Sequence, residues 1–246
     1  MQIKDRKCMA KGISVLLVLS IIFQPVFSAK ATWIQESSKG DTETAWGLHT
    51  ATFITRHGKI KATMPDDMAA GDTISGTVIA EPEGNTERDR AKNLDELNGF
   101  VVEMEKQKVP ITEKVFKWGI PAALAGASAY LILRNKKGGE VARAKIPILN
   151  LPTDVERPSL PTSEDFHLPV IGQAGRPMQI EGPFDGNFST TGIKINGRNA
   201  AVLAESPRKL VAQSPKDVVG PTNIQLKEKE VEIEGGFRNL SLRACN

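Results

Sequence analysis

The sequence predicts an all-β chain: two β-sandwich domains behind a cleaved export leader. Three observations carry that expectation. A basic n-region (Lys4, Arg6, Lys7, Lys11) runs into an apolar stretch from Ile13 to Phe27 and then into the small-residue triplet Ala29-Lys30-Ala31, the order of a secretory signal peptide. Beyond it, short apolar runs with period-two alternation recur between Gly, Pro, Asn and Asp, the signature of strands and tight turns. Midway, "NLPTDVERPSLPTSEDFHLP" places four prolines within 150–169, a composition that favours extended, weakly packed backbone and marks a linker.

Taken in order, residues 1–31 are the leader, cleaved after Ala31. Its apolar stretch is short against the roughly 20 residues that span a bilayer. Residues 32–45 are polar and read as a loose arm. The first sandwich covers 46–149. "ATFITRH" 51–57 and "KIKATM" 59–64 flank Gly58, "DTISGTVIAEP" 72–82 ends in turn residues, and "GFVVEMEKQ" 99–107 alternates. "TERDRAKNLDELN" 86–98 is helix-like, yet with only Ala91, Leu94 and Leu97 as apolar residues it reads as one or two surface turns that cannot make a core.

The uncharged run from Gly119 to Leu133 admits two readings. Its flanks, Trp118 on one side and Arg134, Lys136 and Lys137 on the other, are those of a membrane span. Fifteen helical residues cover roughly 22 Å against a hydrocarbon core of about 30 Å, and Pro121 weakens a helix further. The hairpin reading is therefore preferred: "AYLILR" and "EVARAKIPI" joined by "NKKGG", one face buried, with Leu131 or Ile132 pointing inward. After the linker, 170–246 offers six short strand candidates, at 177–184, 191–197, 198–206, 209–215, 222–235 and 237–244, with Asn196-Gly197 as a ready turn.

Charge and cysteine content exclude some classes. The leader holds five of the 32 Lys and Arg and one of the 29 Asp and Glu, so the chain beyond it has 27 basic and 28 acidic residues, a net charge of about −1. Without a basic run there is no electrostatic footprint for nucleic acid. Once Cys8 leaves with the leader, Cys245 is the only thiol, so no intramolecular disulfide forms. Cys8 also precedes the apolar run and is no lipoprotein cysteine. The expected product is secreted or periplasmic, with no membrane span after leader removal.

The second domain resembles a known family. "GQAGRPMQIEGPF" (Gly172 to Phe184), "IKINGRNAAVL", "KLVAQSP" and "GPTNIQL" are similar to the strand order of IPT/TIG domains, the immunoglobulin-like modules of plexins and transcription factors. The resemblance covers about 165–246. It implies an immunoglobulin-like spacer or binding module, in which Gly175, Ile180, Gly182, Phe184, Ile195, Gly197 and Pro215 are structural positions. The paired glycines that the family often carries before its first strand are here spread as Gly172 and Gly175.

The chemistry-bearing residues are few. Arg56-His57-Gly58 has the look of a phosphohistidine motif, but such a site needs a second His, phosphate-holding Arg side chains and a large α/β frame. The only later His is His167, in the Pro-rich linker. The motif reads instead as a hairpin turn in which Gly58 supplies positive φ. His49 and His57 could meet on neighbouring strands as metal ligands, and Asp66, Asp67 and Asp72, or Asp185 and Asn187, could offer loop oxygens to Ca²⁺. These residue types are also ordinary surface imidazoles and turn formers, and that reading is adopted: no catalytic, cofactor or metal residue is assigned. Trp33, Trp46 and Trp118 all lie in or before the first domain, which leaves no sugar-stacking platform in the second. The expected function is a non-catalytic exported binding or structural protein whose partner is a polysaccharide or another envelope protein. The alternative is an envelope enzyme or accessory subunit whose site is completed by a partner chain.

Overall fold

Period-two burial organises the first half of the computed structural model, which describes residues 38–151, 161–187, 191–228 and 231–241. After β1 (Ser38–Lys39), the strands β2 (Asp41–Ala45), β3 (Leu48–Thr55), β4 (Gly58–Pro65) and β5 (Thr73–Pro82) form an antiparallel meander. In β4, Ile60, Ala62 and Met64 enter the core while Lys59 stays in water, as a half-buried strand requires. Next come α1 (Glu87–Leu97), β6 (Val101–Met104), β7 (Gln107–Pro110), β8 (Val115–Gly119), β9 (Ser128–Arg134) and β10 (Glu140–Pro147). β8 pairs along the edge of β5 opposite β4, giving one sheet ordered β8-β5-β4-β3-β2. The facing sheet runs β1-β10-β9-β6-β7, and the two enclose a core in which Phe53, Ile60, Met64, Trp118, Leu131 and Leu133 are buried.

The ambiguous run is a loop and a strand. Ala122–Leu124 make a single 3-10 turn and β9 pairs antiparallel with β10 across Asn135–Gly139. Ala129, Leu131 and Leu133 are the inward residues, and Tyr130 is the exposed one. β9 also pairs edge to edge with β6. No helix among the described residues is long and apolar enough to cross a membrane.

Four sequence expectations are corrected here. Residues 38–45, read as part of a loose arm, are strands: β1 pairs parallel with β10 and β2 pairs with β3 along its length. Residues 99–107 are not one strand, because Glu105 and Lys106 take φ of 44° and 70° and fold the chain back from β6 into β7. α1 has three turns, capped by the Thr86 hydroxyl accepting from the Asp89 N–H at 3.1 Å. Its Leu97 is fully buried, so the helix does contribute to the core. The described end of the linker, 161–169, is packed: His167 and Glu181 exchange backbone hydrogen bonds, and the buried Phe166 meets Phe184 edge to face at 5.4 Å. The leader, residues 32–37, the prolines at 152 and 158, and Cys245 lie outside the described residues.

The second half is built from β11 (Ile171–Gln173), β12 (Pro177–Glu181), β13 (Thr191–Ile195), β14 (Arg198–Asn199), β15 (Val202–Glu205), β16 (Lys209–Gln213), β17 (Gly220–Glu228) and β18 (Val231–Leu240). One sheet is β11-β18-β17-β13-β14, with β11 and β18 parallel; the other is β12-β16-β15. A three-stranded sheet facing a larger one in this order is an immunoglobulin-like sandwich. Ile180, Phe184, Ile195, Leu210 and Ile224 fill its centre. Here the expected strand at 222–235 is two, since β17 ends at Glu228 and β18 begins at Val231.

The three-stranded sheet does not end in solvent. Glu205 of β15 pairs with Ser75 of β5, so the sheet of the first sandwich continues into that of the second.

Candidate functional site

The continuation occurs because β4 leaves β5 early. β4 pairs with β5 only from Thr77 onward, which frees the backbone of the first half of β5 on that side. β15 takes the vacated edge, and the loop of 66–72 on one flank and the turn of 185–187 on the other close over the seam.

On the first flank, Arg208 and Lys209 from the β15–β16 turn meet the acidic loop after β4. Arg208 forms an ion pair with Asp72, donates to the Asp67 carbonyl at 2.6 Å and stands 3.4 Å from the Asp67 carboxylate. Lys209 pairs with Asp66, and the Ser206 hydroxyl donates to Asp67 at 2.9 Å. Burial raises the Asp67 carboxyl above its usual range, against the opposing pull of Lys209, Ser206 and Arg208. The Asp66, Asp67 and Asp72 oxygens considered for Ca²⁺ are thus engaged by cations of the chain itself.

The second flank gathers carboxyl groups. Glu205 and Glu228 are fully buried, and the Thr191 hydroxyl donates to Glu228. The Asn187 N–H donates to Glu205 at 2.7 Å and to Asp185 at 2.8 Å. Asp185 and Asn187, considered for Ca²⁺, therefore form a side-chain-closed turn that reaches Glu205. Gly186 between them needs its φ of 73°, and a Cβ there would lie 2.0 Å from the Thr73 carbonyl oxygen. That close approach lets the Gly186 carbonyl accept from the Ser75 hydroxyl at 2.6 Å.

Beside this flank opens a cavity of about 590 Å³. Behind its β8 wall Phe116 and Trp118, only 2% and 1% exposed, stack in the core at 3.9 Å between ring centroids, with Phe116 lying over Gly76, where a side chain would collide with it. The rim is polar, with Gln107, Lys108, Glu113 and Lys117; the far wall includes Ser75 and Asn187. Gln107 is fixed by two bonds to the Gly119 backbone, at 2.7 and 3.0 Å. The indole N–H of Trp118 is buried with no partner among the described residues.

The histidines are not brought together. His49 is the second residue of β3 and His57 lies in the turn beyond its other end. His49 is buried with Nδ1 2.8 Å from the Thr44 hydroxyl, and burial lowers its pKa although Asp66 acts the other way. Arg56 donates to His57 Nε2 at 2.8 Å, so Nδ1 carries the proton and donates to Asn93 of α1 at 3.1 Å. The Arg-His-Gly motif is a hairpin turn with Gly58 at φ 138°, as expected. Among the described residues no three His, Cys, Asp or Glu side chains converge to hold a metal ion. Arg208, Lys209, Glu205 and Glu228, which define the seam, were missed. "ESPRK" and "KEKE" look like solvated turns and strand ends, and their partners lie far away in the chain.

No protein-family model matches the chain, and no curated protein matches it. Solved structures give distant likenesses. One is the Bacteroides ovatus mixed-linkage glucan utilization protein SGBP-B in complex with a heptasaccharide: 13% identity, 84% of this chain and 58% of that one, TM-score 0.26. A second is the set of fibronectin(III)-like modules of Clostridium thermocellum CbhA: 13% identity, 73% of this chain and 92% of that one, TM-score 0.21. A third is SGBP-B from a Bacteroides uniformis xyloglucan utilization locus: 14% identity, 78% and 47%, TM-score 0.23. The chain thus spans less than two thirds of either SGBP-B. The fold assignment rests on this chain's own strand order and register.

Proposed function

We propose that this chain is a non-catalytic exported binding protein whose seam cavity receives a polysaccharide or another envelope protein. The observation that carries the reading is the cavity itself. Its volume of about 590 Å³ lies in the range of ligand sites, roughly 300–1,000 Å³, and its rim is polar. Both walls are pre-set by the cross-braced seam, which lowers the ordering cost of binding. Export is supported by the basic, apolar and small-residue order of the leader. The finer assignment of the second sandwich to the IPT/TIG type is supported by the inward placement of Ile180, Phe184 and Ile195 and by positive φ at Gly175 and Gly197.

The test uses protein lacking 1–31. It is run in native gels cast with soluble polysaccharides and used as bait for envelope extract, with mass spectrometry of what is retained. Lys117→Trp and Lys108→Trp, which fill the rim of the cavity, should weaken retention at least tenfold. Retention by both variants equal to that of the parent would remove the cavity from the binding site, and turnover of a retained polysaccharide would replace the binding reading with an enzymatic one.

A further inference from the structure

Glu205 is an unusual residue to find at a strand junction. Its backbone joins β15 to β5, yet its carboxylate has no solvent exposure. One oxygen accepts from Asn187, and the other is buried without a partner among the described residues. The described groups around it come from several elements. The 185–187 turn contributes Asp185, β17 contributes Glu228 and β13 contributes the uncharged Thr191, whose hydroxyl is bonded to Glu228. β5 contributes the uncharged Ser75, and Leu210 of β16 stands opposite in register. The carboxyls of Asp185 and Glu228 are thus close enough to act on it, and two of the linked residues, Ser75 and Asn187, line the seam cavity.

We infer that Glu205 is a proton-dependent latch on the seam cavity. With its proton on, the carboxyl is neutral and can stay buried, and the 185–187 turn and β15 remain against β5. With its proton off, a buried carboxylate faces Glu228 and Asp185, and the wall formed by Ser75 and Asn187 loosens. The importance of this wall for ligand rests on the binding reading above; the latch itself does not.

The electrostatics agree with the geometry. Burial chiefly, with the Glu228 and Asp185 charges adding to it, pushes Glu205 from 4.5 up to about 8, although the nearby Thr191 hydroxyl and the Asn187 N–H act against the shift. A carboxyl raised in the folded state keeps its proton when the unfolded chain has lost it. Its contribution is therefore fully present below about 4.5 and is lost as pH rises through about 8.

The experiment is backbone hydrogen exchange at pH 6 and pH 9, corrected for the intrinsic base-catalysed rate, on the protein lacking 1–31 and on Glu205→Gln. In the parent, protection of 73–77 and 185–187 should fall roughly tenfold between the two pH values, as for a local opening, while 129–133 in the first core stays protected. Glu205→Gln, which keeps a carbonyl for Asn187 and cannot ionise, should show the same protection at both. Equal loss in parent and variant, or no loss in the parent, overturns the latch. If Glu205→Gln does not fold, Glu228→Gln decides: removing one repelling charge should move the midpoint of the loss to lower pH, and an unmoved midpoint overturns the inference. No ligand enters these measurements, so their failure leaves the cavity's binding role standing.

Discussion

The two flanks of the seam solve the same problem in opposite ways. Both bring carboxylates out of water where the sandwiches meet. The 66–72 flank answers each with Arg208 or Lys209, whereas the 185–187 flank gathers Glu205, Glu228 and Asp185 around backbone and hydroxyl donors. The first arrangement holds charge by pairing it, and the second tolerates carboxyls by keeping a proton on one of them. The difference teaches that the halves are joined by one contact that relies on ionised carboxyls and one that relies on a protonated carboxyl, in addition to the chain between them.

The largest effect should come from breaking the paired flank. Arg208→Ala leaves Asp72 and Asp67 buried without their guanidinium, a loss of about 3–5 kcal/mol by the rule for removing one member of a buried pair. Urea unfolding should then separate into two transitions; a loss below about 1 kcal/mol in a single transition would mean that this flank does not join the halves.

Gly186→Ala addresses the other flank. Its Cβ meets the Thr73 carbonyl and its φ of 73° disfavours any side chain, so a cost of about 1–3 kcal/mol is expected, measured as a shift in urea midpoint. Ser75→Ala removes one buried hydrogen bond on that flank and should cost about 1 kcal/mol. If the two variants are combined, they should be less than additive, because the serine bonds to the glycine's own carbonyl.

The smallest expected effect sharpens the comparison in acid. His49 has a lowered pKa, chiefly from burial, so the unfolded chain takes up a proton that the folded one refuses. Stability is lost as pH falls below 6.5, the reverse of the Glu205 dependence. His49→Gln should flatten the acid side of a melting-temperature profile and leave its alkaline side unchanged.

What the sequence made legible was local. Asn196-Gly197 takes positive φ at both residues, 49° and 76°, and Gly58 and the 135–139 turn follow ordinary turn chemistry, so those hairpins could be read. The Glu105-Lys106 turn uses residues with no preference for positive φ, held there by β6 and β7 pairing on either side, and nothing in "VVEMEKQKVP" signals it. The alternation of Lys and Glu from 227 to 230 hid the boundary between β17 and β18. The candidate site was illegible for a deeper reason: Arg208 meets Asp72 across 136 positions and Ser206 meets Asp67 across 139, and no spacing rule reaches that far.

The shared strand β5 also sets a timetable. Ser75 emerges 130 positions ahead of the Glu205 that covers it, a wait of about 6–26 s at ordinary rates of synthesis. Until then the first half of β5 shows an uncovered strand edge, the kind of surface on which chains pair wrongly with their neighbours, and the acidic loop beside it lacks its cations. A nascent chain halted between 150 and 200 should therefore stick to its own kind, and one extended past Lys209 should not.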